Sequence, residues 1–566
     1  MKKNKSSNFK MLLRQPALLL TIILIFVFLG LFVVFPLYNI FKMSIVNEDG
    51  VFSLAYFWKM LSTSAYIEAF KNSMVLGLIV ALISSVVGYI FAFAMIRTEM
   101  PGKRFFKMIG TIPIIAPPFV LSLAMIFLFG RQGIISKGLF GILDSEIFGL
   151  KSLIIVQALS FFPVAYMTMQ GILESLDASV EDAACNMGAG RGRTFWTVTL
   201  PLTAPGIISS FLLVFIQSLE DFANPAVLGG KFTTLAIAVY NQVSGMYDFH
   251  SGAVLSVMLL VPTILAFFIQ SVWISKKSFV TVTGKPTQVR RKISEKHIVW
   301  PLFVFCALLT ALIILMYGTV LLGGFVKTWG VDFNLTVEHF QYIIKTSWDS
   351  VKNSVVLATY AAPIAGVLGI AIAFLVVTKK FPGRRLMEFI SMLTFALPGT
   401  VLGISYIMSF NNEPFLLTGT GLILVVVFVL RNMPVSIEAG KTTLLQIDPC
   451  IEEASTILGA DSGYTFRRVT LPLLSQPFRS GLVYAFVRSV TAISSVMFLI
   501  SPKWNLITAR VYNAFSNSQY SRAAAMVTVM IVFILAAIGV INVIVNIIFK
   551  PRYLRGQRKV KMTKTM

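Results

Sequence analysis

The chain has 566 residues, 56% of them apolar and 13% charged, with a mean hydropathy of +0.82. Soluble globular chains carry roughly 45–50% apolar and about 25% charged residues, so a water-soluble globule is excluded and the chain reads as an integral membrane protein. Lys and Arg number 48 against 24 Asp and Glu, a net charge of +24. In a soluble protein that excess points to a polyanion; in an apolar chain it orients loops by the positive-inside rule, and no nucleic-acid partner is expected. Cys185, Cys306 and Cys450, and His250, His297 and His339, lie too far apart in sequence for a disulfide framework or a metal-ligand motif.

A helix needs about 20 mainly apolar residues to cross a bilayer. That window predicts spans near 17–41, 73–96, 107–130, 152–173, 206–229 and 252–275, then near 299–325, 353–378, 388–410, 417–436, 477–500 and 523–549. The fourth and tenth are interrupted by Pro163 and Pro434, and Arg431 sits near the end of the tenth. The first follows a basic run from Lys2 to Arg14, but it is too long for a signal-peptide core and reads as an uncleaved helix. Basic clusters fall in alternate loops: Arg97, Lys103, Arg104 and Lys107; Lys276 to Lys296; Lys379, Lys380, Arg384 and Arg385; and Lys550 to Lys564. They share one side if both termini are cytoplasmic.

The two sets of six spans are copies. Asn72-Ser73 recurs as Asn353-Ser354, Pro101-Gly102-Lys103-Arg104 as Pro382-Gly383-Arg384-Arg385, and Pro117 as Pro398, at one constant spacing. Beyond the third span the spacing shortens, which puts extra residues into the first half around 131–150. Pro163 then aligns with Pro434, Gly188 with Gly459, and Leu200-Pro201 with Leu471-Pro472. Equal span counts and equal orientation predict parallel repeats with substrate passing between them. The expected division is a first repeat over 1–275, a basic cytoplasmic linker over 276–297, a second repeat over 298–550 and a basic tail over 551–566.

Between the fourth and fifth spans of each half lies a long loop, acidic first and basic later. It runs Glu181-Asp182-Ala183-Ala184 to Gly188 and on to Val198-Thr199-Leu200-Pro201 in one half, and Glu452-Glu453-Ala454-Ser455 to Gly459 and on to Val469-Thr470-Leu471-Pro472 in the other. Acid at a helix start, small residues along one face and a terminating Gly predict a short exposed helix. The pattern resembles the inner-membrane permeases of binding-protein-dependent ABC importers, whose signature is E-A-A, three residues, G, nine residues, I, one residue, L-P. Asp for Glu and Val for Ile are the departures in the first copy, Ser for the last Ala and Val for Ile in the second. The resemblance implies an all-α type I permease fold of twelve spans, a multi-pass protein of a bacterial inner membrane. It also implies that the loops are coupling helices docking on a homodimer of separate ATPase subunits, with an extracytoplasmic solute-binding protein delivering cargo. On that reading the permease is not itself an enzyme, and ATP and Mg belong to the ATPase. Gly440-Lys441-Thr442 lacks the earlier Gly and preceding strand of a phosphate-binding loop, and Gly188, Gly190 and Gly192 do not form a dinucleotide fingerprint.

Charges within spans are functional candidates. Glu220 and Asp221 lie in the fifth span and Arg488 in the equivalent eleventh. The repeat aligns Gln217 with Arg488, Glu220 with Thr491 and Asn224 with Ser495, whose spacing predicts one helical face. That face either lines the path or holds a pair joining the halves. Fused permeases of this size resemble the ferric-iron branch, as do 221–225, 229–230 and the linker's 281–285, while related fused permeases are associated with 2-aminoethylphosphonate, hexose phosphates or thiamine. Carboxylates such as Glu220 and Asp221 suit ferric iron, and Arg488 suits a phosphate. A major-facilitator secondary transporter is the rival class, but its characteristic motif is not found in the loop Arg97 to Arg104.

Overall fold

The computed structural model describes residues 16–47, 49–142, 144–176, 178–274, 292–447 and 471–548, with 450, 454–455, 457–460, 462–465 and 468 between the last two stretches. In the first half the helices that matter are α1 (Pro16–Ile45), α2 (Ser64–Arg97), α3 (Lys103–Gly110), α4 (Val120–Phe129), α5 (Leu150–Ser175), α6 (Ala178–Asn186), α7 (Arg191–Glu220), α8 (Ala223–Leu228), α9 (Leu235–Tyr240) and α10 (Phe249–Ser271). The second half has α11 (Lys296–Gly323), α12 (Glu338–Thr378), α13 (Arg384–Ala396), α14 (Gly399–Phe410), α15 (Gly421–Gln446), α16 (Ser475–Val490), α17 (Ile507–Ser516) and α18 (Tyr520–Ile548). An antiparallel hairpin, Val326–Thr328 with Asp332–Leu335, follows α11. Helices dominate because lipid offers the backbone no hydrogen bonds.

Among the described residues, ten helices are long and apolar enough to cross a membrane, eleven if α13 and α14 count as one bent span. The two-repeat all-α fold is as expected, but the third, fifth, ninth and eleventh expected spans are not single helices. The third breaks at Pro113, Pro117 and Pro118, between α3 and α4. Its counterpart bends by 112° between α13 and α14, at Leu397-Pro398. Proline has no N–H to continue the ladder. The fifth stops at Glu220, where Asp221 turns extended before α8, and the eleventh is reduced to the 16 residues of α16. Conversely α5 and α15 run through Pro163 and Pro434, which neighbouring membrane helices tolerate.

Each half has a three-helix core, α2 with α5 and α7, and α12 with α15 and α16. Small residues set the approach. A Cβ on Gly88 would lie 2.7 Å from the Tyr166 nitrogen, and one on the equivalent Gly369 would lie 3.0 Å from the Met433 carbonyl. Asn72-Ser73 and Asn353-Ser354 perform the same task in both copies. Asn72 Nδ2 donates to the Thr233 carbonyl at 3.1 Å and Ser73 Oγ accepts from Leu235 N at 2.8 Å; Asn353 Nδ2 donates to the Lys503 carbonyl at 2.9 Å and Ser354 Oγ accepts from Ile507 N at 3.0 Å.

The first helix of each half crosses to the other half. α1 packs between its own α10 and α14, where Asn39 Nδ2 donates to Ser409 Oγ at 2.9 Å and the Tyr406 hydroxyl donates to the Phe32 carbonyl at 2.6 Å. α11 packs between its own α18 and α4, with Phe303 edge-on to Phe106 at 5.6 Å and Gly323 giving way to the Phe127 ring. In the hairpin turn that follows α11, Trp329 stacks on Phe127 and its Nε1 donates to the Phe127 carbonyl at 2.9 Å. The repeats expected at 1–275 and 298–550 therefore exchange their leading helices. With the native cysteines replaced by Ser, an Asn39→Cys, Ser409→Cys pair is expected to cross-link on oxidation, read by mass spectrometry. Absence of the bond where a Cys pair within α2 and α5 does form would contradict the exchange.

Candidate functional site

The helix breaks converge. Pro113, Pro117 and Pro118, Asp221 to Asn224, Thr394 and Phe395, and Thr491 to Ser494 line a cavity of about 170 Å³ between the halves, together with Gln217, Glu220, Arg431 and Arg488. Glu220, at the end of α7, meets Arg431 of α15 across the interface, with Nη2 donating to Oε2 at 3.0 Å; the two side chains are 10% and 19% exposed. Arg431 Nη1 also donates to Ser494 Oγ at 3.2 Å. Gly399, at the bend, leaves room for this guanidinium, since a Cβ there would collide with it. Glu220 Oε1 is buried with no hydrogen-bond partner, while Arg488 is exposed to the cavity.

Asp221 has a different role. Its Oδ2 accepts from Gln157 Nε2 at 2.8 Å and from Asn224 Nδ2 at 2.7 Å, and its Oδ1 accepts from Asn224 N at 3.3 Å. Asn224 Oδ1 in turn accepts from Ser122 Oγ at 2.7 Å, and Ser218 Oγ donates to Gln157 Oε1 at 2.5 Å. This buried network fastens the break and leaves Asp221 and Asn224 in the wall with their polar atoms engaged. Gln217, Glu220, Arg488 and Thr491 do reach the cavity. Ser495 does not: it is buried, with its carbonyl against Gly403. The single helical face drawn from Gln217 to Asn224 and from Arg488 to Ser495 therefore ends where the helices end, at Glu220 and Val490. The partner of Glu220 is Arg431, which the sequence places only near the end of the tenth span. The rule that singled out Glu220, a charge within a span, applied to it equally.

On the loop side α6 is closed by Gly188 at φ +86°, with Ala189 N donating to the Ala184 carbonyl at 3.0 Å. The other copy repeats this with Gly459 at φ +83° and Ala460 N donating to the Ser455 carbonyl at 3.1 Å. A positive φ suits Gly and gives a Schellman-type end. Glu181 turns inward: Oε2 accepts from Arg97 Nη1 at 2.5 Å and Oε1 from Thr199 Oγ1 at 2.7 Å, tying α6 to the end of α2 and to α7. Asp182 and Ala183 are exposed, Ala184 half-buried. At equivalent places Met187 is 88% and Leu458 87% exposed. Ala454 and Ser455 lie on the second helix, Ser455 Oγ 2.8 Å from Thr465 Oγ1; Glu452 and Glu453 lie outside the described residues. Beside this region burial, then the neighbouring Lys292 and Lys107, push the Lys103 amine from 10.5 down to about 8.

A model of the binding-protein-dependent transport system inner membrane component matches residues 84–278 and again 365–554. The chain belongs to that family. The ferric transport system permease protein FbpB of Actinobacillus pleuropneumoniae is 35% identical over 92% of this chain and 77% of its own length. The putative ferric transport system permease protein FbpB 1 of Haemophilus influenzae is 35% identical over 89% and 80%. The molybdenum transport system permease protein ModB of Escherichia coli is 29% identical, and 97% of it covers 39% of this chain, so one half here corresponds to a whole permease there. The chain is accordingly a multi-pass inner-membrane permease of an ABC importer, with two fused repeats. Permeases of this family work with a solute-binding protein and an ATPase.

Arg431→Met is expected to cost about 3–5 kcal/mol, because it leaves Glu220 buried without its counter-charge, and adding Glu220→Met is expected to restore most of the loss. Thermal melting of the purified single and double variants checks this. For Lys103 the folded state holds the proton less tightly than the unfolded chain, so stability rises with pH between about 8 and 10.5. The melting temperature of the wild type is expected to rise relative to Lys103→Met across that window, measured in matched buffers.

Proposed function

We propose that the chain forms the ferric-iron translocation pathway of its importer, with the Glu220–Arg431 pair closing the cavity between the halves. The observation that carries the reading is Glu220 itself: one oxygen holds the opposite half and the other is buried without a protein partner. Similarity to permeases named for ferric transport supports iron as the cargo. Ferric iron is a hard cation that prefers carboxylate oxygen. Gln217 and Thr491 supply further polar atoms, and Asp221, Asn224 and Ser495 shape the wall.

Two exposed loop helices at repeat-equivalent positions, each presenting a large apolar side chain, support docking into a homodimer of ATPase subunits that holds ATP and Mg. Asp182, Ala183, Ala184, Met187 and Gly188 form one contact, and Ala454, Ser455, Leu458 and Gly459 the other, to which Glu452 and Glu453 belong by sequence. Glu181, paired with Arg97, positions the first helix and belongs to the same contact. Closure of the ATPase dimer moves the two loops together, and the ion pair between the halves breaks and reforms as cargo passes. The basic loops support cytoplasmic termini, and the permease itself performs no chemistry. A second reading, an oxyanion cargo such as a phosphonate or hexose phosphate, is favoured by the two guanidiniums of Arg431 and Arg488 in the cavity wall.

Reconstitution with the ATPase and the binding protein, with ATP-dependent uptake of labelled ferric iron as readout, tests the proposal. Glu220→Gln is expected to lower uptake about tenfold or more and Arg488→Ala much less. Oxyanion uptake abolished by Arg488→Ala would establish the second reading, and unchanged uptake in both variants would remove the cavity from the pathway. Met187→Glu with Leu458→Glu is expected to abolish co-purification of the ATPase.

A further inference from the structure

A second cavity, of about 450 Å³, opens on the loop side of the first half. It lies between the end of α2, the α6 helix, the start of α7 and the first turns of α11, apart from the cargo cavity. Arg97 stands in its wall, 4% exposed. Glu181 takes Nη1, but Nε and Nη2 are buried with no hydrogen-bond partner. Unpaired donors on a buried cation are costly, and the Nε–Nη2 edge of a guanidinium is the fork that matches two oxygens of a phosphate.

Apolar side chains cover one side of the remaining wall, Ile90 and Phe93 from α2, Phe195 from α7, and Ile298 and Leu302 from α11, while Asp182, Arg191, Thr194, Thr199 and His297 make its polar side. Trp196 and Trp300, beside this lining, are 68% and 55% exposed. Tryptophans so placed sit at headgroup depth. The chain leaving the linker pins the cavity's edge, with Ile293 N donating to the Arg97 carbonyl at 2.8 Å and Glu99 N donating to the Ile293 carbonyl at 2.9 Å. It brings Lys292 near Lys103, where Lys107 and Glu99 also act on the Lys103 amine. The repeat equivalent of Arg97 is Thr378, so the second half does not repeat the fork.

We propose that this cavity binds one anionic phospholipid from the leaflet on the coupling-loop side, its phosphate on the Nε–Nη2 edge of Arg97 and its first methylenes between Phe93, Phe195 and Ile298. The lipid bridges the coupling helix of one half and the exchanged first helix of the other, and so stabilises their docked arrangement.

The test is native mass spectrometry and thermal melting of the purified permease–ATPase complex titrated with phosphatidylglycerol, phosphatidylcholine or inorganic phosphate. Arg97→Lys keeps a cation facing Glu181 but removes the fork; Ile298→Trp fills the tail slot and leaves the ion pair alone. The wild type is expected to retain one phosphatidylglycerol per chain, to bind it about tenfold more tightly than either variant, and to gain melting temperature from it. Should Arg97→Lys fail to fold, Ile298→Trp decides. Equal phosphatidylglycerol binding by the wild type and the folded variants overturns the site. An equal effect of phosphatidylcholine overturns the preference for anionic lipid, and an equal effect of inorganic phosphate assigns the fork to a free anion and overturns the lipid.

Discussion

Inside a bilayer an unpaired backbone amide has no water to turn to, and the rest of this structure depends on that constraint. Irregular backbone is tolerated at membrane depth only where protein or a polar cavity surrounds it. The breaks in both halves, at the prolines after α3 and in the α13–α14 bend, and at the ends of α7 and α16, gather around the same cavity. The breaks at the ends of α7 and α16 are supplied with side-chain partners. Asp221 and Gln157 fasten one, and in the other half Asn432 Nδ2 reaches Ser489 Oγ at 3.1 Å, an echo of the tie between Gln157 and Ser218. The proposed pathway therefore lies where the helices are permitted to stop.

The two copies share a scaffold and differ in their charges. Glu220 corresponds to Thr491, Arg431 to Ser160 and Arg97 to Thr378. Two copies of the first half would set Ser160 opposite each Glu220, and two copies of the second would set Thr491 opposite each Arg431. Fusion lets one half carry the acid and the other the base. A single ion pair then spans the interface in a medium where desolvation is expensive.

Much of this was legible in the sequence because it lies along the chain. Apolar windows locate most spans, and paired landmarks such as Asn72-Ser73 and Asn353-Ser354 reveal the duplication and turn out to make the same hydrogen bonds. The loop helices announced themselves by acid, small residues and Gly in order. What the sequence left hidden lies between segments. The link from Glu220 to Arg431 spans 211 positions, and no local pattern encodes it. The inward turn of Glu181 follows from the placement of Arg97, whose role in the sequence looked purely topological. Hydropathy windows also read straight through Asp221 and Val490, since they register apolarity and not the geometry of a chain that stops being helical while remaining in the membrane.

The exchanged first helices bear on the order of events during synthesis. α1 leaves the ribosome first, yet its hydrogen-bond partner Ser409 lies 370 residues downstream. At about 5–20 residues per second, that partner follows after roughly 20–70 s. Through that interval the face that will meet α14 has no partner from the second half, and the apolar length of α1 suffices to keep it inserted. The first half cannot reach its final packing until most of the second has been made, so the fused chain matures as one object and not as two permeases in succession.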